Sequence, residues 1–426
     1  MRVTAGAVVV ASVLLLAACG SFQANLPLAK YDPSAGYRFY ELEQGSKSDN
    51  LFVILVFSGG GTRAAALSYG VLEALRDTKI QWENQRISLL DEIDVISSVS
   101  GGSFPAAYYA LYGSRIFDEF PDRFLYRPIQ SDLIKSALTP SGLLKLAGPS
   151  FGRSDLAAEF YDREVFGAGT YADVVARNRR PFVILNATDM TTGTQFPFIQ
   201  DQFDLLCSDL SGVSLGRAVA SSSAYPGGLT PLTFKNYAGT CGYYQPDWVN
   251  RALKDHKPRI NVRRTARAQN RLSYTDTKQM RSYIHLTDGG VSDNIGLREP
   301  LNAIMSSDNS WSVFRRIGLG EVDKLVVIVV NSGIDPETDR DKTSYVPGFI
   351  DTLTAAVDVP IGNYSFDTLQ ILSGVVDAFN QEMKMVSGCK ELAAAKGAEC
   401  ELDIKVPHQV EFFPIQVAFE NIEGSE

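Results

Sequence analysis

The chain has 426 residues, 45% of them hydrophobic, enough to bury one large core or two ordinary ones, which excludes a disordered or fibrous class. A formal net charge of −9 argues against a nucleic-acid partner. Three histidines and five cysteines occur at no metal-ligand spacing such as CxxC or HExxH, so neither a metal nor another cofactor is expected.

The N-terminus reads as an address and stands outside the fold. Residues 1–18 have the form of a signal peptide: Arg2 gives a positive start, and Val3 to Leu16 an apolar stretch too short for a comfortable membrane span. The stretch ends Leu16-Ala17-Ala18-Cys19, which resembles the lipobox of bacterial lipoproteins, so Cys19 is expected to be the acylated, mature N-terminus. Gly20 stands where an aspartate would retain such an anchor in the inner membrane, and the outer membrane of the cell envelope is expected instead. Residues 19–50, polar and interrupted by Pro27, Pro33 and Gly45, are expected to be a lipidated tether.

Leu51 to Phe57 contains no polar residue, the pattern of a strand covered on both faces in a parallel sheet. Ser58-Gly59-Gly60-Gly61-Thr62-Arg63 follows, then a helical pattern from Ala64 to Arg76. A glycine loop between strand and helix offers backbone N–H groups that a ligand can approach closely. It lacks the Gly-Lys-Ser/Thr ending of a phosphate loop; an oxyanion hole, with Arg63 adding positive potential, or a plain tight turn remain.

Ile93 to Val99 reads as a second strand, running into Ser100-Gly101-Gly102 and then a helix that carries Pro105 in its first turn. Ser100 therefore has either a nucleophile's position at a sharp strand-to-helix turn or the role of a helix cap. Against the nucleophile-elbow pattern G-x-S-x-G, Ser98 replaces the first glycine. Pro181 to Asp189 and Lys324 to Asn331 are further strand-length apolar runs, and with helices between them the pattern is α/β. Ser282 to Thr287 is another, followed at once by Asp288-Gly289-Gly290, which is either a carboxylate freed at a strand end or an Asx-type turn. Sites in such sheets form beyond the carboxyl ends of the strands, so the three loops can share one crevice.

Between Arg251 and Arg281 ten Lys/Arg face two acids, Asp255 and Asp276; 251–281 is expected to be a solvated or disordered basic insertion, or else a surface for anionic head groups. Within a C-terminal extension, 332–426, the segment Val346 to Gly388 has helical spacing (Phe349, Leu353, Ala356, Val357; Leu369, Leu372, Val376, Phe379) and is expected to form core-packing helices, or else a lid or membrane face. With Cys19 acylated, the sequence-local pairs Cys207–Cys241 and Cys389–Cys400 are the simplest disulfides.

Taken together, Gly59-Gly60-Gly61-Thr62-Arg63, Ser98-Val99-Ser100-Gly101-Gly102 and Asp288-Gly289-Gly290 resemble the three motifs of the patatin-like phospholipase family, in the family's order. Ala220-Ser221-Ser222-Ser223-Ala224-Tyr225-Pro226 is similar to its Ala-Ser-x-Ala-x-Pro block. The resemblance covers roughly Leu51 to Asn331. It implies a three-layer α/β/α sandwich with a mostly parallel central sheet, a hydrolase domain over 51–426, and hydrolysis of lipid acyl esters. It implies Ser100 as nucleophile and Asp288 as its base, with Gly59, Gly60, Gly61 and Arg63 forming the oxyanion hole and Gly101, Gly102, Gly289 and Gly290 shaping the turns. The expected partner is a membrane lipid or other acyl-ester substrate.

Two other functions remain open on the sequence. His408 follows Ser100 in the chain order of an α/β-hydrolase triad, Ser–Asp/Glu–His. A lipoprotein that binds acyl chains or serves as an envelope scaffold without catalysis is the other. Asp288 is favoured over a histidine because His285 lies inside its strand, on one face with Tyr283 and Thr287, where it is expected to pack.

Overall fold

A computed structural model describes residues 25–82, 85–254, 262–278, 281–305, 322–333, 339–342, 344–397, 399 and 411–419. The expected signal peptide, Cys19, His256, Cys400 and His408 lie outside these residues. The centre is an eight-stranded sheet of β1 (Leu51–Phe57), β2 (Ile93–Val99), β3 (Phe182–Asp189), β4 (Thr194–Pro197), β5 (Leu232–Lys235), β6 (Tyr283–Thr287), β7 (Lys324–Asn331) and β8 (Glu411–Ala418). Its order is β8-β7-β1-β2-β3-β6-β5, with β4 paired to β3. The first five of that order run parallel, and β4, β5 and β6 are antiparallel to their neighbours. Helices flank the sheet, giving the expected three-layer α/β/α sandwich with a mostly parallel central sheet.

Every residue of β1, β2 and β3 is buried, the physical reason β1 has no polar residue and those in β2 and β3, such as Asp94, Ser97 and Asn186, are hydrogen-bonded. The winding reverses at β1, whose neighbours are β2 on one side and β7 on the other. The loops after β1, β2 and β7 therefore open at one edge of the sheet, the place where such folds bind ligands. β6 enters the same edge by another route. It runs antiparallel to β3 and overlaps it by two residues, Leu286 opposite Asp189 and Thr287 opposite Thr188, so the residue that follows β6 falls level with the parallel strands' carboxyl ends.

Three expectations need correction. Residues 25–50 are no tether: Tyr37, Phe39 and Leu42 are buried, Leu26–Pro27 pairs with Ser208–Asp209, and the buried Arg38 guanidinium bonds Asp204 at 2.7 Å and Asp201 at 3.0 Å. Nor is the basic stretch a solvated insertion among its described residues. It forms two helices, Asp247–Lys254 and Val262–Thr275, with Tyr274 and Ala268 buried, and two of its arginines pair with acids of the body: Arg267 with Glu299 at 2.5 Å, Arg281 with Asp189 at 2.6 Å. Segment 332–426, expected as an extension, supplies β8, which pairs with β7 along all eight residues and so completes the sheet.

The C-terminal helical pattern is a single helix, Phe349–Ala395. Leu372 is buried, and Leu369 and Val376 pack against the core, as expected of them. Phe349 is 82% exposed and Leu353 40%, so the first turns do not pack as their periodicity suggests; periodicity shows a stripe, not whether anything covers it. The helix is held beside the Asp288 loop by Arg298 Nε donating to Thr368 Oγ1 (3.1 Å) and by Tyr225 O–H donating to Asp358 (2.8 Å). Cys207 and Cys241 form the expected disulfide.

Candidate active site

The turn after β2 is strained where the chemistry needs it. Ser100 has φ of 50°, a left-handed conformation that few residues with a Cβ adopt. Two glycines make the turn possible. A Cβ on Gly101 would overlap the carbonyl of Gly61, and one on Gly102 would come within 2.6 Å of the Ser58 carbonyl. A short 3₁₀ turn, Ser100–Gly102, leads into helix α2 (Ser103–Tyr112; α1 is Gly61–Asp77), with Pro105 in its first turn. The Ser100 hydroxyl caps no helix. It donates to Asp288 Oδ2 at 2.8 Å.

Asp288 directly follows β6 and is 3% exposed. Its Oδ1 accepts the Gly290 N–H at 2.7 Å, its own N–H donates to the Ala224 carbonyl, and its carbonyl accepts from Thr188 Oγ1 at 2.8 Å. Gly289 is obligatory, since a Cβ there would overlap the Asn186 carbonyl, and Gly290 lies close to both Asp288 Oδ1 and Asn294 Oδ1. Burial pushes the carboxyl from 3.8 up to about 6, against the smaller opposing effects of the Gly290 N–H and the Ser100 hydroxyl, which favour the carboxylate. A group in that range can accept a proton near neutral pH.

The glycine loop joins β1 to α1, with Gly60 at φ 138° and Gly61 at φ 63°. It differs from expectation at one residue. The Gly59 N–H donates to the Asn294 carbonyl at 2.8 Å, so it is spent inside the frame and cannot turn to an oxyanion. The N–H groups of Gly60 and Gly61 belong to the open start of α1, have no acceptor among the described residues, and lie on the exposed side of the loop with Arg63. The position a Cβ would take on Gly60 is 3.5 Å from the Arg63 guanidinium.

Four contributors escape sequence reasoning. Ser332, just after β7, donates its hydroxyl to the Gly59 carbonyl at 2.5 Å and fixes the loop from the far side. Asn294 supplies the carbonyl that holds Gly59. Ser222, in the Ala-Ser-x-Ala-x-Pro-like block, accepts the Ser100 N–H at 2.9 Å and donates to the Asn186 carbonyl at 2.6 Å. Thr188 holds the Asp288 carbonyl. Only Ser222 lies in a block that sequence pattern could have singled out.

His285 does not pack as expected. It faces outward on β6, with Nδ1 3.0 Å from Thr233 Oγ1, because β6 leaves alternate residues exposed beside β5. Among the described residues no cluster of His, Cys, Asp or Glu could hold a metal ion.

No curated protein matches the chain. Among solved structures, the human GIVD cytosolic phospholipase A2 is similar over 66% of this chain and 43% of its own, at 12% identity and a TM-score of 0.36; the chain thus spans less than half of that protein's length. A family model described as patatin-like phospholipase matches residues 55–301, more than half of the sequence and all three motif loops. The chain belongs to the patatin-like phospholipase family, a family of lipid ester hydrolases.

Proposed function

We propose that the chain hydrolyses carboxylic esters of membrane lipids with a Ser100–Asp288 dyad. The observation that carries this reading is the 2.8 Å hydrogen bond from the Ser100 hydroxyl to a buried carboxylate. Ser100 Oγ attacks the ester carbonyl while its proton passes to Asp288 Oδ2. The carbonyl oxygen, now negative, is met by the N–H groups of Gly60 and Gly61, with Arg63 adding positive potential. Collapse expels the lipid alcohol, which takes the proton from Asp288, and leaves Ser100 acylated. A water then gives its proton to Asp288 and attacks the acyl carbonyl, and release of the fatty acid returns the proton to Ser100.

A fluorophosphonate probe tests this. The folded protein should be labelled and Ser100→Ala should not; labelling that survives Ser100→Ala removes the serine from the mechanism, and a protein that neither labels nor turns over ester is the non-catalytic lipoprotein.

The protein is further proposed to be a lipoprotein of the cell envelope, anchored in the outer membrane through an acylated Cys19 once residues 1–18 are removed. The Cys207–Cys241 disulfide supports an oxidising compartment. Mass spectrometry of the mature N-terminus decides, and an unmodified terminus elsewhere removes the anchor.

A further inference from the structure

Ser98 departs from the elbow pattern, yet it is fully buried and its hydroxyl has a defined place. Ser98 Oγ lies 3.2 Å from Ser103 Oγ and 3.3 Å from the Ile184 carbonyl. Ser103 Oγ lies 2.9 Å from Ser222 Oγ. Ser222 Oγ in turn bonds the Asn186 carbonyl and the Ser100 N–H. Three hydroxyls from a strand, the elbow helix and a helix of the Ala-Ser-x-Ala-x-Pro-like block thus form one buried chain that ends on the backbone of Ser100.

Proton counting fixes much of its direction. Each hydroxyl has one hydrogen to give. Ser222 gives its hydrogen to the Asn186 carbonyl, so in the bond with Ser103 it accepts, and Ser103 is the donor. Ser103 then has its lone pairs left for Ser98. Ser98 has one hydrogen for two acceptors, Ser103 Oγ at 3.2 Å and the Ile184 carbonyl at 3.3 Å; when it points to Ser103, the three bonds run the same way, each polarising the next. Ser222 Oγ is saturated in this arrangement, giving one bond and accepting two, one of them the N–H of the residue held at φ 50°.

We propose that Ser98 is a positioning residue for Ser100, acting through Ser103 and Ser222 to hold the strained elbow. The proposal rests on Ser100 being the nucleophile. Without the Ser98 hydroxyl, Ser103 Oγ loses the donor that polarises it, and its own bond to Ser222 weakens. The hold on the Ser100 N–H loosens while substrate contacts outside the elbow stay as they were.

The test is a double-mutant cycle on soluble-ester hydrolysis with Ser98→Ala, Ser103→Ala and the double variant, each checked by circular dichroism and melting temperature, alongside Ser98→Thr and Ser98→Gly. Ser98→Ala should lower kcat about tenfold at unchanged KM, short of the roughly hundredfold that a misplacement of about 1 Å can cost. The double variant should cost no more than the worse single, because both break one chain. Ser98→Thr, which keeps the hydroxyl, should restore kcat, and Ser98→Gly should resemble Ser98→Ala. Wild-type kcat in a folded Ser98→Ala, or losses that multiply in the double variant, overturns the proposal. If Ser98→Ala fails to fold, Ser103→Ala and Ser98→Gly carry the same expectation of lowered kcat, and wild-type kcat in either overturns it. Failure of the nucleophile reading is seen separately, as fluorophosphonate labelling that persists in Ser100→Ala.

Discussion

Replacing Asp288 by asparagine should make the protein more stable and inactive at once. Burial raises the carboxyl from 3.8 to about 6, which makes its ionised form about 3 kcal/mol less favourable in the folded chain than in the unfolded one. Because the folded value is the higher one, this carboxyl's stabilising contribution is fully present below about pH 4 and is lost as pH rises through about 6. Asparagine mimics the protonated form. Its Oδ1 can keep the Gly290 N–H, and its amide can donate to Ser100 Oγ, where the carboxylate accepts. Asp288→Asn should therefore exceed the parent in stability by up to roughly 3 kcal/mol at pH 8, and by almost nothing at pH 4. Asp94 is likewise raised to about 6 by burial, but it is common to both proteins and cancels in the difference. Urea denaturation from pH 4 to 8 reads the stability gap, and ester turnover on the same samples should be lost in the variant. In the parent, kcat/KM should climb through a single pKa near 6. A variant less stable than the parent at pH 8, or a gap that ignores pH, refutes the assignment of a strained buried carboxylate.

Arg38→Ala should cost about 3–5 kcal/mol in denaturation, because it strands the buried Asp204, whereas a free tether would show no change. Gly101→Ala should lower ester turnover at least about a hundredfold, since its Cβ would push into the Gly61 carbonyl and disturb elbow and oxyanion loop together; circular dichroism separates this from unfolding. Removing both Cys207 and Cys241 should lower stability by about 4 kcal/mol for a sequence separation of 34, measured by denaturation without reductant. His285→Ala and His408→Ala should leave turnover unchanged, and a dead His408→Ala would restore the triad.

The sheet was legible where burial on both faces left an unbroken apolar run, as in β1 and the first four residues of β3. The three motif loops were legible because glycine marks a backbone that another backbone must touch, and the Gly101 contact with Gly61 bears this out. Asp288 reached the crevice, but through an antiparallel strand with a two-residue overlap, which no local pattern encodes. Ser332 and Asn294 were invisible because one hydroxyl and one carbonyl leave no periodic trace. The basic stretch misled for a similar reason. Arg281 finds Asp189 92 positions away, and composition counts charges without knowing their partners.

The docked segment from Asn25 changes what an anchor at Cys19 could do. Only Gly20 to Ala24, five residues, separate the two, so the chain between them spans at most about 20 Å even when fully extended. A folded chain of 426 residues has a radius of gyration of about 22 Å. On so short a leash the body could not roll to offer the bilayer any side it pleased. If Cys19 is acylated as proposed, its lipid would act as a hinge pin, keeping the surface around Asn25 nearest the bilayer and confining the search for substrate to the small disc of lipids the leash can sweep.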